Sequence, residues 1–258
     1  MKQIITISLF FLFSLQGFST NQVKDYLILD NDTLYLYNSP LEQISNISSD
    51  IFELEQPEIL TSSCWRGYYA EWRIINNTLY LSKLFACYTD KVINKTIEKI
   101  LKRKFTNGLL KADWVNSPLW CGKDLVGEKT LYLSIYRYER RLLMENGKVI
   151  DIKEYNYLPC DYENKNERLN FVLKSINWKE FPAGSYLSFE AELKIDYSGR
   201  IKDIKIMRSN IPSFDYEIIK ALGALPCWPV YYREGRIYNP VDWIRIEVKY
   251  DEIKKYIQ

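Results

Sequence analysis

Apolar and polar residues alternate along much of the N-terminal half of the chain, and short polar segments interrupt the alternation. A period of two is typical of half-buried strands, and Asn and Gly tolerate the left-handed backbone of tight turns. The pattern therefore predicts three β-hairpins. Their strands are 26–29 with 34–37, 68–75 with 78–81, and 131–143 with 149–155, and their turns contain Asp30-Asn31-Asp32, Asn76-Asn77 and Asn146-Gly147.

Two segments, 91–105 and 167–178, carry apolar residues three and four positions apart and are predicted to be helices. Thr89 and Asp90 are candidate caps of the first helix, which Asn107-Gly108 would end. Its outer face either contacts an anionic membrane or an acidic partner, or is the solvated side of a helix packed on a sheet. That face carries the basic residues Lys91, Lys95, Lys99, Lys102, Arg103 and Lys104.

The C-terminal part of the chain predicts the order strand, strand, helix, strand. The predicted strands are 187–195, 201–207 and 241–250, and the helix is 213–225 with Ser213 as its cap. Gly199 permits a tight turn between the first two strands. A polar stretch at 159–166 indicates a division into two units.

The fold class predicted from these elements is α+β. Residues 21–160 form a mostly antiparallel β unit with one amphipathic helix and no recognised family, and residues 161–258 form a ββαβ unit. Residues 1–20 have the pattern of a cleaved secretory signal: a basic start, an apolar run at 4–15 and small residues before the cut. We expect a periplasmic or secreted protein, and the alternative is a retained inner-membrane anchor.

Composition narrows the function. The 35 basic and 33 acidic residues nearly cancel, which argues against a nucleic-acid partner. The chain has no histidine, so Ser-His-Asp catalysis and His-ligated metals are excluded. Its five cysteines form no CxxC pair, so we expect no metal or cofactor site, and either buried thiols or one or two disulfides in an undetermined pairing.

The order of the C-terminal elements resembles the TonB C-terminal domain family over about residues 186–250. The residues that carry the resemblance are Asp196 and Gly199 in the turn, Ser209, Asp215, Ala221, Pro226, Trp228, Pro229, Gly235 and the strand ending at Tyr250. The long Pro-rich spacer of that family's energy transducers is absent, because the chain has only 9 Pro. The resemblance therefore implies a fold and a binding mode but not force transduction.

In that family the closing strand takes up a partner peptide at its open edge, which implies a peptide-binding edge strand here. The matching residues are Trp243, Arg245, Glu247 and Lys249. On this hypothesis Ile246 contributes one of the open backbone N–H groups. The alternatives are an edge covered by the N-terminal unit and an edge that pairs with a second copy to form a homodimer.

A second candidate site is the aromatic cluster Trp65, Arg66, Tyr68 and Trp72. Aromatic rings beside arginine can stack on sugars, but alternating aromatics on a strand also form cores. We expect a non-catalytic envelope protein that binds a partner peptide, as an accessory of outer-membrane transport. The alternatives are carbohydrate or peptidoglycan binding by the aromatic cluster and a hydrolase that uses only carboxylates.

Overall fold

The computed structural model describes residues 23–56, 62–87, 89–129, 133–160, 164–179 and 181–256. These residues form both helices and sheets, which confirms the α+β class. The elements up to residue 156 are β1 (Tyr26–Leu29), β2 (Asp32–Leu36), α1 (Ile47–Glu55), β3 (Tyr68–Ile75), β4 (Thr78–Ala86), α2 (Asn94–Leu101), β5 (Leu110–Lys111), β6 (Leu119–Lys129), β7 (Leu133–Glu145) and β8 (Lys148–Asn156). The later elements are α3 (Lys165–Ser175), β9 (Tyr186–Ile195), β10 (Ile201–Ser209), α4 (Asp215–Gly223), β11 (Tyr232–Arg233), β12 (Arg236–Ile237), β13 (Val241–Lys249) and α5 (Tyr250–Ile253).

The N-terminal strands form one sheet in the order β3-β1-β2-β6-β7-β8-β4-β5, and β3 also pairs with β4. This extra pairing curls the sheet back on itself around a hydrophobic core. All of the pairings are antiparallel except β1 with β3. The core is filled from several strands at once, with Leu27, Leu34, Leu79 and Leu142 fully buried.

The three predicted hairpins are present as β1–β2, β3–β4 and β7–β8. At each tip two consecutive residues have positive φ, as in Asn146 at 46° and Gly147 at 70°. This is the left-handed backbone that Asn and Gly adopt more readily than other residues. The described part of the third hairpin begins at Leu133, and residues 131–132 lie outside the described residues.

The basic helix is shorter than predicted, because α2 covers only Asn94–Leu101 of the expected 91–105. It ends where Lys102 turns into the left-handed region at φ 54°, and Glu98 then accepts a hydrogen bond from the backbone nitrogen of Phe105 at 2.9 Å. Neither Thr89 nor Asp90 caps it, because Ile93 is the N-cap residue.

Two helices, α1 and α3, differ from what the sequence pattern predicts, because each buries only two of its own residues. Helix α1 was missed because it buries only Ile47 and Ile51. Helix α3 lies two to three residues before its predicted position, since Ile176 and Trp178 belong to the loop that follows it. Asn164 caps α3 by accepting a hydrogen bond from the backbone nitrogen of Asn166 at 2.8 Å.

The C-terminal strands form a separate sheet in the order β10-β9-β13, with α3 and α4 over one face. The order strand, strand, helix, strand is confirmed. Ser213 does not cap the helix as expected, because Pro212–Phe214 form a 3-10 turn and Phe214 is the N-cap of α4. The core between sheet and helices includes Phe189, Leu193, Ile218 and Ile246.

Two disulfides connect Cys64 to Cys87 and Cys160 to Cys227, and Cys121 is free and buried. The second disulfide joins the end of the N-terminal strands to the C-terminal unit. Disulfides are typical of proteins that fold in an oxidising compartment, so the chain has the character of a non-cytoplasmic protein.

In the described residues no helix has both the length and the hydropathy for crossing a membrane. The proposed signal at 1–20 lies outside the described residues.

A short hairpin from the C-terminal unit packs against the N-terminal sheet. We call β11, β12 and the turn between them the junction hairpin. Its turn residues, Glu234 and Gly235, donate backbone hydrogen bonds to Glu139 on β7 at 3.1 and 3.0 Å. The hydroxyls of Tyr37 and Tyr157 donate to the same carboxylate at 2.5 and 2.7 Å. Glu139 is fully buried, and these four donors replace its lost hydration.

Candidate functional site

The predicted binding strand, β13, lies at an edge of the C-terminal sheet, with β9 as its only described neighbour. Ile244, Ile246 and Val248 point into the core, so the residues between them point to the other face. That outer set is the predicted group Trp243, Arg245, Glu247 and Lys249, all of them exposed. The structure therefore brings the four predicted residues together along one strand.

The backbone groups of β13 alternate between the paired side and the open side. Ile195 donates its backbone N–H to the carbonyl of Pro240 at 2.9 Å, and the next pair in the register is Val241 with Lys194. In an antiparallel ladder only every second residue bonds to the neighbouring strand. Residues 242, 244, 246 and 248 therefore face β9. The N–H of Ile246 belongs to that ladder, so its assignment as an open donor was wrong.

The open side of β13 keeps two backbone donors without a partner among the described residues, the N–H groups of Arg245 and Glu247. The N–H of Trp243 donates instead to the carboxylate of Asp242 at 2.8 Å, and that of Lys249 faces Glu252 at 3.4 Å. The available part of the edge is therefore centred on residues 245–247.

A groove of about 610 Å³ runs between this edge and α3. We call it the edge groove. Trp243, Arg245 and Glu247 line it from the strand, whereas Lys249 does not. Lys165 and Arg168 line it from α3, three positions apart on one helix face. The sequence analysis did not predict that α3 forms one side of the groove. The only signal for it in the sequence is the spacing of these two basic residues.

The aromatic floor of the edge groove is held by the residues that carry the family resemblance. Trp228 donates from its indole nitrogen to Asp242 at 2.8 Å, and its backbone nitrogen donates to the carbonyl of Gly199 at 2.7 Å. Asp196 holds the same turn by accepting from the backbone of Ser198 and Arg200. Trp228 itself is buried in the C-terminal core.

The aromatic cluster of the N-terminal unit does not form one surface. Tyr68 and Trp72 are fully buried in the core, so their assignment to a ligand-stacking cluster was wrong. Their side chains alternate toward the interior of the curled sheet. Trp65 is 59% exposed and, with Arg66, lines a pocket of about 740 Å³. We call this the Trp65 pocket.

One carboxylate of the Trp65 pocket, Asp25, is almost completely buried and fully hydrogen-bonded. It accepts from Ser39 at 2.7 Å, from the indole of Trp72 at 3.1 Å, from the backbone of Ala70 at 3.1 Å and from Arg66 at 3.4 Å. Burial raises the pKa of the Asp25 carboxyl above its ordinary value, and the charge of Arg66 opposes the rise. Asp25 thus ties the chain just before β1 to Ser39 and to the segment 66–72, which is a structural role.

In the described part of the chain, no group of three or more Cys, Asp or Glu could hold a metal ion. No family model, no curated protein and no solved structure matches this chain. The likeness to the TonB C-terminal domain therefore stays a hypothesis.

Proposed function

We propose that this protein is an exported, non-catalytic binding protein of the cell envelope. Its C-terminal unit binds an extended peptide as a fourth strand beside β13, and a peptidase removes residues 1–20 during export. An accessory role in outer-membrane transport follows from the family resemblance. The observation that supports the proposal is the open edge, where Arg245 and Glu247 present backbone donors to a groove.

Strand addition suits this edge because backbone pairing supplies affinity and flanking pockets supply specificity. The edge groove is long enough to follow β13 from Asp242 to Glu247, and its walls combine apolar and basic groups. Among the charged side chains of the groove, the basic Lys165, Arg168 and Arg245 outnumber the acidic Asp242 and Glu247. The proposed partner is therefore an extended peptide that carries acidic side chains.

The proposal is tested by selecting peptides from a random displayed library against the mature chain. Hydrogen exchange followed by NMR then reports on individual amides. We expect a bound peptide to protect the N–H groups of Arg245 and Glu247, while Ile246 is protected even without peptide. Peptides that bind without protecting residues 245 and 247 would contradict strand addition.

A matched pair of variants isolates the backbone contribution. Glu247→Pro removes one outward donor without touching the ladder to β9, and Pro is tolerated on edge strands. Glu247→Ala removes the same side chain and keeps the donor. We expect the Pro variant to bind about fivefold to tenfold more weakly than the Ala variant, as one hydrogen bond of about 1 kcal/mol predicts. Equal affinity of two folded variants would reject the proposal.

A saccharide ligand in the Trp65 pocket is a second candidate function. An exposed indole offers a flat apolar surface on which a sugar ring can stack, and exposed amides of Asn38 and Gln43 lie in the same pocket. Titration with soluble peptidoglycan fragments tests it. Trp65→Ala should abolish binding, and Trp243→Ala, which truncates an exposed indole elsewhere, should not. Loss of binding in both variants or in neither would count against this site.

A further inference from the structure

Strand β8 is unusual because both of its faces are open to solvent. Only Val149 and Tyr155 are partly covered, and the aliphatic side chains of Ile150 and Ile152 are 55% and 40% exposed. Along one edge β8 pairs with β7 from end to end. Along the other edge, within the described part of the chain, β8 meets β4 only where Lys148 pairs with Thr78 and where the Val149 nitrogen donates to Asn77.

The free edge of β8 therefore begins after Val149. Tyr157 donates its backbone N–H to the carbonyl of Arg137 at 2.9 Å, and the register continues with Asn156 opposite Tyr138. By the alternation of antiparallel ladders, residues 151, 153 and 155 bond toward β7. Ile152 and Glu154 then direct their N–H and C=O groups outward, and no described residue bonds to them.

The charges of β8 are complementary to those of a second β8 running in the opposite direction. If Ile152 faces Ile152 of a second copy, Asp151 of each copy faces Lys153 of the other. Neither Asp151 nor Lys153 has an ion-pair partner among the described residues of its own chain. Opposite charges directly across two strands are stabilising.

The neighbouring registers are unfavourable. A shift of the pairing centre by one residue in one direction places Asp151 opposite its own copy, and a shift in the other direction places Lys153 opposite its own copy. Like charges directly opposite each other destabilise a strand pair. The sequence of β8 therefore favours one register of self-pairing.

We propose that two copies of this protein form a symmetric dimer by antiparallel pairing of β8 with β8, centred on Ile152. The interface is isologous, as a twofold axis requires, and joins the β6-β7-β8 strands of each copy into one continuous sheet. It is distinct from the β13 edge, so both edge grooves remain open in the dimer.

Sedimentation velocity of the mature chain across a broad concentration range tests the dimer, and charge reversal tests its register. Asp151→Lys and Lys153→Asp each place like charges opposite each other, and each should shift the chain to monomer. The double variant Asp151→Lys/Lys153→Asp restores opposite charges and should restore the dimer. Lys205→Asp on β10, another exposed strand, is the control, because its reversed charge lies outside the proposed interface and should leave the dimer intact.

Cross-linking supplies a test that does not depend on the charge variants. Ile152→Cys places two thiols on the symmetry axis, and we expect a disulfide-linked dimer under mild oxidation. Lys205→Cys on β10, another exposed strand, should not cross-link. A chain that stays monomeric at every concentration would overturn the proposal. A dimer that tolerates both single charge reversals, or that cross-links through residue 205 and not residue 152, would equally overturn it by assigning the contact to another edge.

Discussion

Gly235 and Tyr155 touch where the two units meet: a Cβ atom added to Gly235 would lie 2.8 Å from Cε1 of Tyr155. Gly235 also has φ 71°, and its nitrogen donates to Glu139. The turn of the junction hairpin therefore requires glycine twice over, for its left-handed backbone and for the absence of a side chain. A substitution at Gly235 therefore tests how much this contact contributes to stability.

Gly235→Ala should weaken the junction between the units. We expect the free energy of unfolding in urea to fall by about 2–4 kcal/mol, from backbone strain together with overpacking against Tyr155. Gly108→Ala is the control, because Gly108 has φ 75° and open space around it. It should show the strain alone, about 1–2 kcal/mol. Equal losses in the two variants would show that the contact with Tyr155 contributes nothing.

Glu139→Gln should destabilise the chain although it is nearly isosteric. The carboxylate accepts four hydrogen bonds, and an amide would turn a donor toward groups that also donate. We expect a loss of about 2–3 kcal/mol by urea denaturation. Glu145→Gln, at the exposed end of the same strand, should change stability by less than about 0.5 kcal/mol. A neutral Glu139→Gln would mean that the buried charge is not needed.

Alkaline conditions should unfold the protein through its buried tyrosines. Burial, together with the charge of Glu139 and the hydrogen bond to it, raises the pKa of Tyr37 and of Tyr157 far above the ordinary value near 10. The folded chain thus holds protons that the unfolded chain releases, so stability falls as the pH rises above about 10. Tyrosinate absorbance and circular dichroism should change together. The variant Tyr37→Phe/Tyr157→Phe should show a shallower decline, and an unchanged decline would contradict this cause.

Cys121 should be the only thiol available to alkylating reagents, and only after unfolding. Burial raises its pKa to about 12, and the other four cysteines are paired. Mass spectrometry of the mature chain after alkylation at neutral pH should show no label without denaturant and one label with it. Disulfide mapping should recover Cys64 with Cys87 and Cys160 with Cys227. Labelling of the folded chain, or any other pairing, would contradict the structure.

The hairpins could be predicted from local patterns because the conformation of a tight turn depends on the few residues within it. Asn76-Asn77 and Asn146-Gly147 adopt the left-handed backbone that their side chains permit. The C-terminal end of α2 was predicted badly because the backbone leaves the helix at Lys102, and a hydrogen bond from the backbone nitrogen of Phe105 to Glu98 holds the chain there although the apolar periodicity continues. Periodicity reports which face is apolar, not where the backbone leaves the helix.

For the candidate sites too, the sequence predicts some properties, and others depend on the folded chain. The strand Trp243–Lys249 could be identified from the order of elements, but the direction of each backbone N–H depends on its pairing with β9. Trp65 and Trp72 were indistinguishable in the sequence. One is exposed and the other buried, because the strand beginning at Tyr68 turns its alternate side chains into a core formed by distant strands.

The α+β class, the three hairpins and the order of the C-terminal elements can be predicted from the chain's residue pattern, because turn residues and alternation act between near neighbours. The open edges of β8 and β13, the pairing of the cysteines and the docking of the junction hairpin emerge only in the folded chain. Those properties depend on residues far apart in the chain, such as Glu139 and Gly235, which are separated by 96 positions and meet only in the folded protein.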